Sequence, residues 1–367
     1  MRTSAAVDIV QPMEQRDLND RVRSVAGRVP GVALVIVGRE GVRARSAVGF
    51  ADLPTRTPMA TDAVAPWFSM TKIATATTAM RRAERGELDL DAPVHPLVPE
   101  MAALRPSAWA ERITPRHLLQ HTSGLTNPIP VSWIHPADRP GPDPASFLGQ
   151  QLTKRPKLAF EPGDRSSYSN LGTLALGAAI ATGASQRFED IVRAELLGPL
   201  SMTSTDFTYP TEQLAATGYH PRSSPMRVLL PRWVIGDAAG RWVGFRRFLL
   251  DGAAYGGLVG TPDDAAQFLQ MHLRGGELDG TRLLDEGSAA EMCRIDAPGK
   301  RYCLGLGWFV PTGLRTADPP FVEHLGGGAG FFNVMRMYPT LGVGAVVFGN
   351  ATRYDVHAVA DLAREFA

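Results

Sequence analysis

The segment "PWFSMTKIATATTAM" at residues 66–80 decides how this 367-residue chain is interpreted, because it sets a serine three positions before a lysine. Three residues are close to one helical turn, so Ser69 and Lys72 are predicted to project from the same face of a helix. Residues 73–80 carry no charge, which predicts that this helix is buried on every side. Gly86 follows as a predicted C-cap.

Lysine at position 72 is unusual because the chain has 38 basic residues and uses lysine at only four positions, namely 72, 154, 157 and 300. The others are arginines, whose guanidinium stays protonated in proteins, whereas a desolvated lysine amine can accept a proton. Ser-x-x-Lys occurs nowhere else in the chain. We interpret Ser69 as a nucleophile and Lys72 as its base. The alternative interpretation is an N-cap serine followed by an exposed helical lysine.

A second motif lies in "FEPGDRSSYSNLG" at residues 160–172. Tyr168 and Asn170 are two positions apart, so in an extended segment both side chains point the same way. A tyrosine can shuttle protons, and an asparagine can hold a polar group in place. The alternative is a core tyrosine and an N-cap asparagine.

A third motif is "EHLGGGAGFF" at residues 323–332, where a predicted strand ends in His324 and several glycines. Glycines at a strand end let a ligand approach the backbone closely. The segment matches neither a phosphate loop nor a dinucleotide fingerprint. We therefore expect a backbone binding site rather than a nucleotide site.

Composition excludes several classes of function. The net charge of +1 provides no field that would favour nucleic acid or an anionic membrane. The two cysteines are too few for a disulfide framework, and His117 with His121 lacks the zincin glutamate, so no metal or cofactor is expected. We see no secretory signal, and the longest weakly polar run, residues 171–184, is too short to span a bilayer. The sequence predicts a soluble, cytoplasmic protein of unknown oligomeric state that acts on a small molecule.

The order of predicted elements favours an α/β (α+β) fold with β-rich runs near both ends of the chain and a helical block between them. The runs "GVALVIVGRE" and "GVRARSAVGF" predict a hairpin. We expect a discontinuous α/β domain from residues 1–85 and 255–367. Residues 86–254 are expected to form a mainly helical domain, with the active site between the two.

Taken together, "SMTK", "YSN" and "HLG" resemble the three motifs of the serine β-lactamase and penicillin-binding-protein superfamily, specifically its class C-like branch. "GELDLDAPV" (86–94), "LLQHTSGL" (118–125) and "YGGLVGTPDDAAQFLQ" (255–270) also resemble that branch. It includes family VIII carboxylesterases, D-amino-acid amidases and peptidases, and acyltransferases. The resemblance implies an antiparallel sheet from both chain ends, flanked by helices, beside a mostly helical insert.

The resemblance also implies a role for each matching residue. Ser69 matches the acylated nucleophile, Lys72 its activating partner and Tyr168 the proton-shuttling phenol. The backbone N–H groups of Ser69 and Gly327 match the oxyanion hole. The expected substrate contacts are Asn170, His324, Gly326 and Trp133.

One departure from the resemblance concerns His324, which stands where the third motif usually has a lysine. A histidine is largely neutral at cytoplasmic pH, so it is less suited to a substrate carboxylate. This disfavours a β-lactamase or a D-Ala-D-Ala carboxypeptidase. The sequence predicts a serine hydrolase of the esterase or amidase type, with an acyltransferase as the alternative and a catalytically silent binding protein as a third hypothesis.

The arginine- and tryptophan-rich segment 227–248 has two interpretations, a substrate wall or lid and a solvated surface. The solvated surface is the preferred interpretation.

Overall fold

An antiparallel sheet built from both ends of the chain is the centre of the fold. The computed structural model describes residues 15–128, 130–211, 213–224 and 230–367. The strands are, in chain order, β1 (Gly31–Gly38), β2 (Gly41–Asp52), β3 (Thr57–Pro58), β4 (Ala65–Pro66), β5 (Ile134–Pro136), β6 (Tyr219–Pro221), β7 (Ile235–Ala239), β8 (Trp242–Phe245), β9 (Phe248–Leu250), β10 (Val259–Gly260), β11 (Glu277–Leu278), β12 (Thr281–Arg282), β13 (Tyr302–Leu304), β14 (Phe309–Pro311), β15 (Val322–Gly328), β16 (Phe331–Tyr338) and β17 (Val343–Gly349).

The main sheet has the order β13-β14-β15-β16-β17-β1-β2-β3. Strand β1 pairs antiparallel with β2 on one side and with β17 on the other, which joins the first hairpin to the last strand of the chain. Every residue of β1 and of β17 is buried, as continuous apolar runs require when both faces of a strand are covered. The predicted hairpin and the sheet from both chain ends are confirmed.

The helices are α1 (Gln15–Ala26), α2 (Thr71–Glu84), α3 (Ser107–Ala110), α4 (Pro115–Leu119), α5 (Pro144–Lys154), α6 (Asn170–Ala184), α7 (Phe188–Val192), α8 (Pro262–Leu273), α9 (Glu286–Cys293) and α10 (Val356–Asp361). Short 3₁₀ helices cover Phe68–Met70, Pro99–Ala103, Arg232–Val234, Ala253–Tyr255, Thr312–Leu314 and Leu362–Phe366, and a π-helical turn covers Arg193–Leu197. Helix α8 packs on β1 and β17, while α1 packs on β2 and on α10. The mixed architecture agrees with the predicted class.

Helix α2 lies inside the molecule. Its residues from Thr71 to Met80 are all buried, as the uncharged run predicts, and Arg85 caps it before Gly86 takes a left-handed φ of 71°. Ser69 was expected to begin this helix, but it lies in the preceding 3₁₀ turn, Phe68–Met70. Where the structure describes the chain, no helix combines the length and the apolar character needed to cross a bilayer.

The middle of the chain contains strands as well as the predicted helices. Strand β5 pairs with β9, and β6, β8 and β7 form a separate small sheet. Strands β7 and β8 and the first residue of β9 lie in the segment 227–248, whose residues 227–229 are outside the described ranges. Strands β5 to β9 are only three to five residues long, and all but β9 contain a glycine or a proline. The sequence therefore has no alternating apolar pattern that would predict them. The division into two domains stays a prediction.

Candidate active site

Ser69 lies in the 3₁₀ turn that leads into α2, directly after a residue with an unusual backbone. Phe68 has a φ of 49°, in the left-handed region that disfavours residues with a side chain. Its ring packs 6.2 Å from the ring of Phe248 and 6.3 Å from that of Phe331, measured between centroids. Gly328 leaves room for this ring, since a Cβ there would lie 2.1 Å from a Phe68 ring atom. Strained backbone held by packing is typical of functional sites.

Lys72 is buried beside Ser69, with only 3% of its surface exposed. Its Nζ atom lies 3.1 Å from Ser69 Oγ and donates to the backbone carbonyl of Tyr255 at 2.7 Å. The rings of Tyr168 and Tyr255 flank the amine, at 4.9 and 5.5 Å from their centroids. Burial holds the pKa of Lys72 well below its ordinary value. In its neutral form, which the lowered pKa favours, the amine has a lone pair for the Ser69 proton.

Tyr168 and His324 form a hydrogen-bonded pair near Ser69. Tyr168 Oη lies 3.2 Å from His324 Nε2, and His324 Nδ1 lies 2.7 Å from the carbonyl oxygen of Gly307. Because a carbonyl only accepts, Nδ1 carries the imidazole proton. Burial holds the pKa of His324 well below its ordinary value, and the positive charge that Lys72 carries when it is protonated lowers it further, so the ring is neutral. Nε2 is therefore an acceptor, and the Tyr168 hydroxyl donates to it.

The phenol of Tyr168 stays protonated in this environment. Burial raises its pKa, while a hydrogen bond with the Ser69 hydroxyl works in the opposite direction. The hydroxyl oxygen thus lies within reach of both Ser69 and His324. A neutral phenol between these two groups is suited to passing a proton from one atom to another.

His121 is a site residue that sequence reasoning did not select. Its ring packs 4.6 Å from that of Tyr168, and its Nδ1 accepts a hydrogen bond from the Ser169 backbone N–H at 3.1 Å. Burial lowers the pKa of His121 to about 3, so it is also neutral. The motif "LLQHTSGL" contains this residue, but the only role considered for it from the sequence was that of a metal ligand.

The expected absence of a metal site was based on the pair His117 and His121. His117 instead caps α4, where its Nδ1 accepts from the Thr114 backbone N–H at 3.2 Å. Within the described ranges, no three His, Cys, Asp or Glu side chains cluster in a way that could hold a metal ion. The two histidines therefore have separate positions and contacts.

Asn170 lies close to the site at the first turn of α6. The N-cap of this helix is Ser169, whose Oγ accepts from the Gly172 N–H at 3.0 Å, and not Asn170 as the alternative interpretation held. The Asn170 backbone N–H donates to Asn127 Oδ1 at 3.0 Å. The side-chain Oδ1 of Asn170 is buried and has no hydrogen-bond partner among the residues that the structure describes. An unpaired buried acceptor of this kind suits a ligand N–H donor.

Gly327 of the expected oxyanion hole and the expected substrate contacts Gly326 and Trp133 have different surroundings in the structure. Gly327 lines a cavity together with Ser69. Gly326 packs on the backbone, because a Cβ there would lie 2.2 Å from the carbonyl oxygen of Trp67. Trp133 lies in the core, with 4% exposed, and does not line the cavity, so its expected contact with a substrate stays a prediction. It makes edge-to-face contacts with Phe147 and Tyr255 at 5.3 and 5.7 Å.

The cavity in front of Ser69 has a volume of about 980 Å³ and opens to solvent. One part of its wall is apolar and aromatic, with Phe160, Leu325, Phe309, Tyr302 and Phe332. Another part is cationic, with Arg165, Lys300 and Arg301. Described residues of the segment 227–248 do not line this cavity, so the less favoured interpretation of that segment as a substrate wall has no support. Sequence reasoning selected neither the apolar nor the cationic wall.

Comparisons with known proteins identify relatives over most of the chain. A family model described as Beta-lactamase matches residues 9–367. The D-alanyl-D-alanine-carboxypeptidase/endopeptidase AmpH of Escherichia coli strain K12 is 26% identical over 300 residues, which are 78% of this chain and 70% of AmpH. Esterase EstB of Burkholderia gladioli is 32% identical over 206 residues, 53% of this chain and 52% of EstB.

A solved structure is similar over nearly the whole length of both chains. The D-amino acid amidase of Ochrobactrum anthropi SV3, crystallised with L-phenylalanine, superimposes with a TM-score of 0.75 and 25% identity. The match covers 93% of this chain and 92% of the amidase. Similar chains therefore include a peptidase, an esterase and an amidase.

Proposed function

The chain belongs to the β-lactamase family, and on that premise we propose that it cleaves an ester or amide through an acyl-Ser69 intermediate. Members of this family are serine hydrolases. The observation that supports the proposal best is the contact of 3.1 Å between Ser69 Oγ and the buried amine of Lys72. No carboxylate forms an ion pair with this amine in the described part of the chain, so nothing compensates its charge.

Acylation begins when the Lys72 amine takes the Ser69 proton and Ser69 Oγ attacks the acyl carbonyl carbon. The carbonyl oxygen becomes an oxyanion, which the backbone N–H groups of Ser69 and Gly327 stabilise. The bond to the leaving group then breaks. The proton returns from Lys72 to the leaving group by way of the Tyr168 hydroxyl, which lies between Ser69 and His324.

Deacylation reverses these steps with water in place of the leaving group. Water gives its proton to the same Lys72 and Tyr168 pair and attacks the acyl-Ser69 carbonyl. The acid is released when the bond from the carbonyl carbon to Ser69 Oγ breaks, and Ser69 regains its proton. The chemistry needs only groups that the chain itself supplies.

Two features bear on the leaving group. His324 is neutral and is engaged by Tyr168 and Gly307, so it offers no fixed positive charge to a carboxylate next to the scissile bond. The unpaired Oδ1 of Asn170 suits the N–H of an amide, which an ester lacks. The first feature disfavours substrates with a carboxylate next to the scissile bond, such as β-lactams, and the second favours amides over esters.

An acyltransferase is the second candidate function. The cavity of about 980 Å³ has room for an acceptor beside the acyl group. An alcohol or amine would then replace water in the second half of the reaction. The acyl-Ser69 intermediate is common to both functions.

The test is intact-protein mass spectrometry after a short incubation with p-nitrophenyl butyrate. We expect a butyryl adduct on Ser69 in the native chain and none in Ser69→Ala. Ser167→Ala is the matched control, because Ser167 also faces the cavity yet is expected to leave the adduct intact. A butyryl group on Ser69→Ala, or none on the native chain with this ester and with a fluorophosphonate probe, would refute the proposal.

The second candidate is tested on the same intermediate. Decay of the adduct is followed with and without added alcohols or amines. Free acid as the sole product under all conditions excludes transfer to those acceptors, whereas a butyryl ester or amide establishes it.

A further inference from the structure

The cationic wall of the active-site cavity is formed by Arg165, Lys300 and Arg301, and the proposed chemistry does not use it. All three side chains are exposed. Among the residues that line the cavity, no aspartate or glutamate is found. The chain as a whole is nearly balanced, at a net charge of +1, so this concentration of positive charge is local.

No carboxylate neutralises these cations in the described part of the chain. None of the three forms an ion pair there, although Arg165 lies 4.7 Å above the ring of Phe160. Of the carboxylates close to these cations in the sequence, Glu161 pairs with Arg112 and Asp296 pairs with Arg294. Asp164, which precedes Arg165, is exposed and forms no ion pair with the three cations in the described part of the chain. The charges of the wall are therefore available to a ligand.

Hydrogen bonds hold the two loops of this wall together. Ser166 Oγ donates to the carbonyl oxygen of Pro298 at 2.8 Å, and a Cβ on Gly299 would lie 2.6 Å from Ser166 Oγ. The Thr312 backbone N–H donates to the carbonyl oxygen of Arg301 at 2.9 Å, and its hydroxyl donates to that of Gly299, also at 2.9 Å. The loop of Arg165 and the loop of Lys300 and Arg301 are thus fastened to one another and to the sheet.

We propose that the cavity selects acyl donors that carry an anionic group, a carboxylate or a phosphate, which Arg165, Lys300 and Arg301 bind. This inference rests on the proposed function and names its substrate class. A cleft lined by one sign of charge concentrates ligands of the opposite sign and speeds their association. Guanidinium groups also match the geometry of carboxylates and phosphates. This charge lies on the cavity wall, whereas His324, close to Ser69, is neutral.

The first test compares two isosteric esters that differ only in charge, p-nitrophenyl hydrogen adipate and p-nitrophenyl 6-amino-6-oxohexanoate. At low ionic strength we expect kcat/KM for the anionic ester to be about tenfold higher. The ratio should approach one in about 0.5 M salt, because salt screens exposed charges. Background hydrolysis is measured with Ser69→Ala. A ratio of one at low salt would overturn the proposal for the acyl side.

Variants assign the preference to the wall. The triple variant Arg165→Gln, Lys300→Gln, Arg301→Gln is expected to bring the ratio of the two esters, measured within that variant, close to one. Arg43→Gln is the control, because Arg43 is an exposed arginine on β2 that does not line the cavity. A preference that survives the triple variant, or that Arg43→Gln abolishes equally, would overturn the assignment.

A second pair of esters locates the anionic group. The butyrate ester of 3-hydroxybenzoate carries its carboxylate on the leaving group, and the ester of 3-hydroxybenzamide is its neutral isostere. A preference in this pair places the anion on the leaving-group side, and a preference for the adipate ester places it on the acyl side. The absence of a preference in both pairs refutes the proposal.

Equilibrium binding separates this inference from the proposed function. Monomethyl adipate and methyl adipamate are titrated into Ser69→Ala, which cannot be acylated. Tighter binding of the anion, lost in the triple variant, supports charge selection even if the native chain forms no adduct. Equal binding refutes charge selection even if the neutral ester acylates Ser69, since acylation by that ester tests the proposed function alone.

Discussion

Two buried basic residues, Arg336 on β16 and Lys72 on α2, show opposite solutions to the same physical problem. Arg336 is 1% exposed and pairs with Glu323 at 2.6 Å and with Asp361. Although burial works against its charge, the Glu323 carboxylate holds the pKa of Arg336 above its ordinary value. Lys72 is equally buried, but its contacts are a hydroxyl, a carbonyl and two aromatic rings.

The difference separates a structural charge from a chemical group. A buried charge must be paired or lose its proton. Arginine cannot lose its proton, so Arg336 needs its carboxylates, and together they tie β15 to β16 and α10. Lysine can lose its proton, and Lys72, which has no carboxylate partner among the described residues, is poised to act as a base. This accounts for lysine at position 72 of a chain that otherwise nearly always uses arginine.

Replacing Lys72 should have the largest effect on activity. Lys72→Met removes the base but keeps an unbranched side chain, and we expect kcat/KM for p-nitrophenyl butyrate to fall by about 10³-fold or more. Its free energy of unfolding should stay equal or rise, because no amine has to be desolvated. Lys72→Arg should be equally inactive, since guanidinium cannot accept the proton. Activity near the native level in either variant would contradict the assignment of the base.

Replacing Arg336 should have the reverse outcome, because its main effect is expected on stability. Arg336→Met removes the guanidinium from the buried Glu323, whose remaining ion-pair contact is His357 at 3.4 Å, and we expect the free energy of unfolding to fall by about 3–5 kcal/mol. Chemical denaturation at pH 7 measures this. Arg23→Met is the control, because the pair of Arg23 with Asp20 is largely exposed and should contribute less than about 1 kcal/mol. A loss as small as that of the control would show that the buried pair is not structural.

Two histidines that are buried without a counter-charge should make the protein sensitive to acid. Burial lowers the pKa values of His121 and His272 to about 3, whereas the ordinary value is 6.5. The unfolded chain therefore binds protons first, and stability falls as pH falls from about 6.5 toward 3. At pH 5 each histidine should cost on the order of 2 kcal/mol.

The acid sensitivity can be assigned to a single residue. His272→Gln should reduce the difference in unfolding free energy between pH 7 and pH 5 by about 2 kcal/mol. His95→Gln, at an exposed position, is the matched control. A difference that is unchanged in His272→Gln would mean that His272 does not carry this effect.

The sequence was most informative where the chemistry is local. Ser69 and Lys72 could be paired because one helical turn fixes their distance, and the sheet from both ends could be predicted because β1 and β17 are continuous apolar runs. His121 was missed because its role depends on a contact with Tyr168, 47 positions later in the chain. The core position of Trp133 could not be predicted, because a tryptophan in a proline-rich loop gives no sign of which side faces the core.

The cationic wall could not be predicted from the sequence either. Arg165 and Arg301 are far apart in the sequence, and contacts of the folded chain, such as the hydrogen bond from Ser166 to Pro298, bring their loops together. No pattern of neighbouring residues marks such a surface. Sequence reasoning therefore identified the reacting groups, whereas the residues that shape and charge the cavity required the folded chain.

The pH dependence of catalysis provides the finest distinction between the groups around Ser69. Protonated Lys72 cannot accept a proton, so kcat/KM should fall as pH falls through the lowered pKa of Lys72. His324 is already neutral above its own lowered pKa, and burial alone accounts for the shift of Lys72. We therefore expect His324→Gln, whose amide can accept from Tyr168 and donate to Gly307, to lower kcat/KM by about tenfold. The midpoint of the acid limb should move by less than about 0.5 pH units. A profile of kcat/KM from pH 5 to pH 10 measures both quantities, and a midpoint displaced by a full unit or more would assign the titration to His324 instead of Lys72.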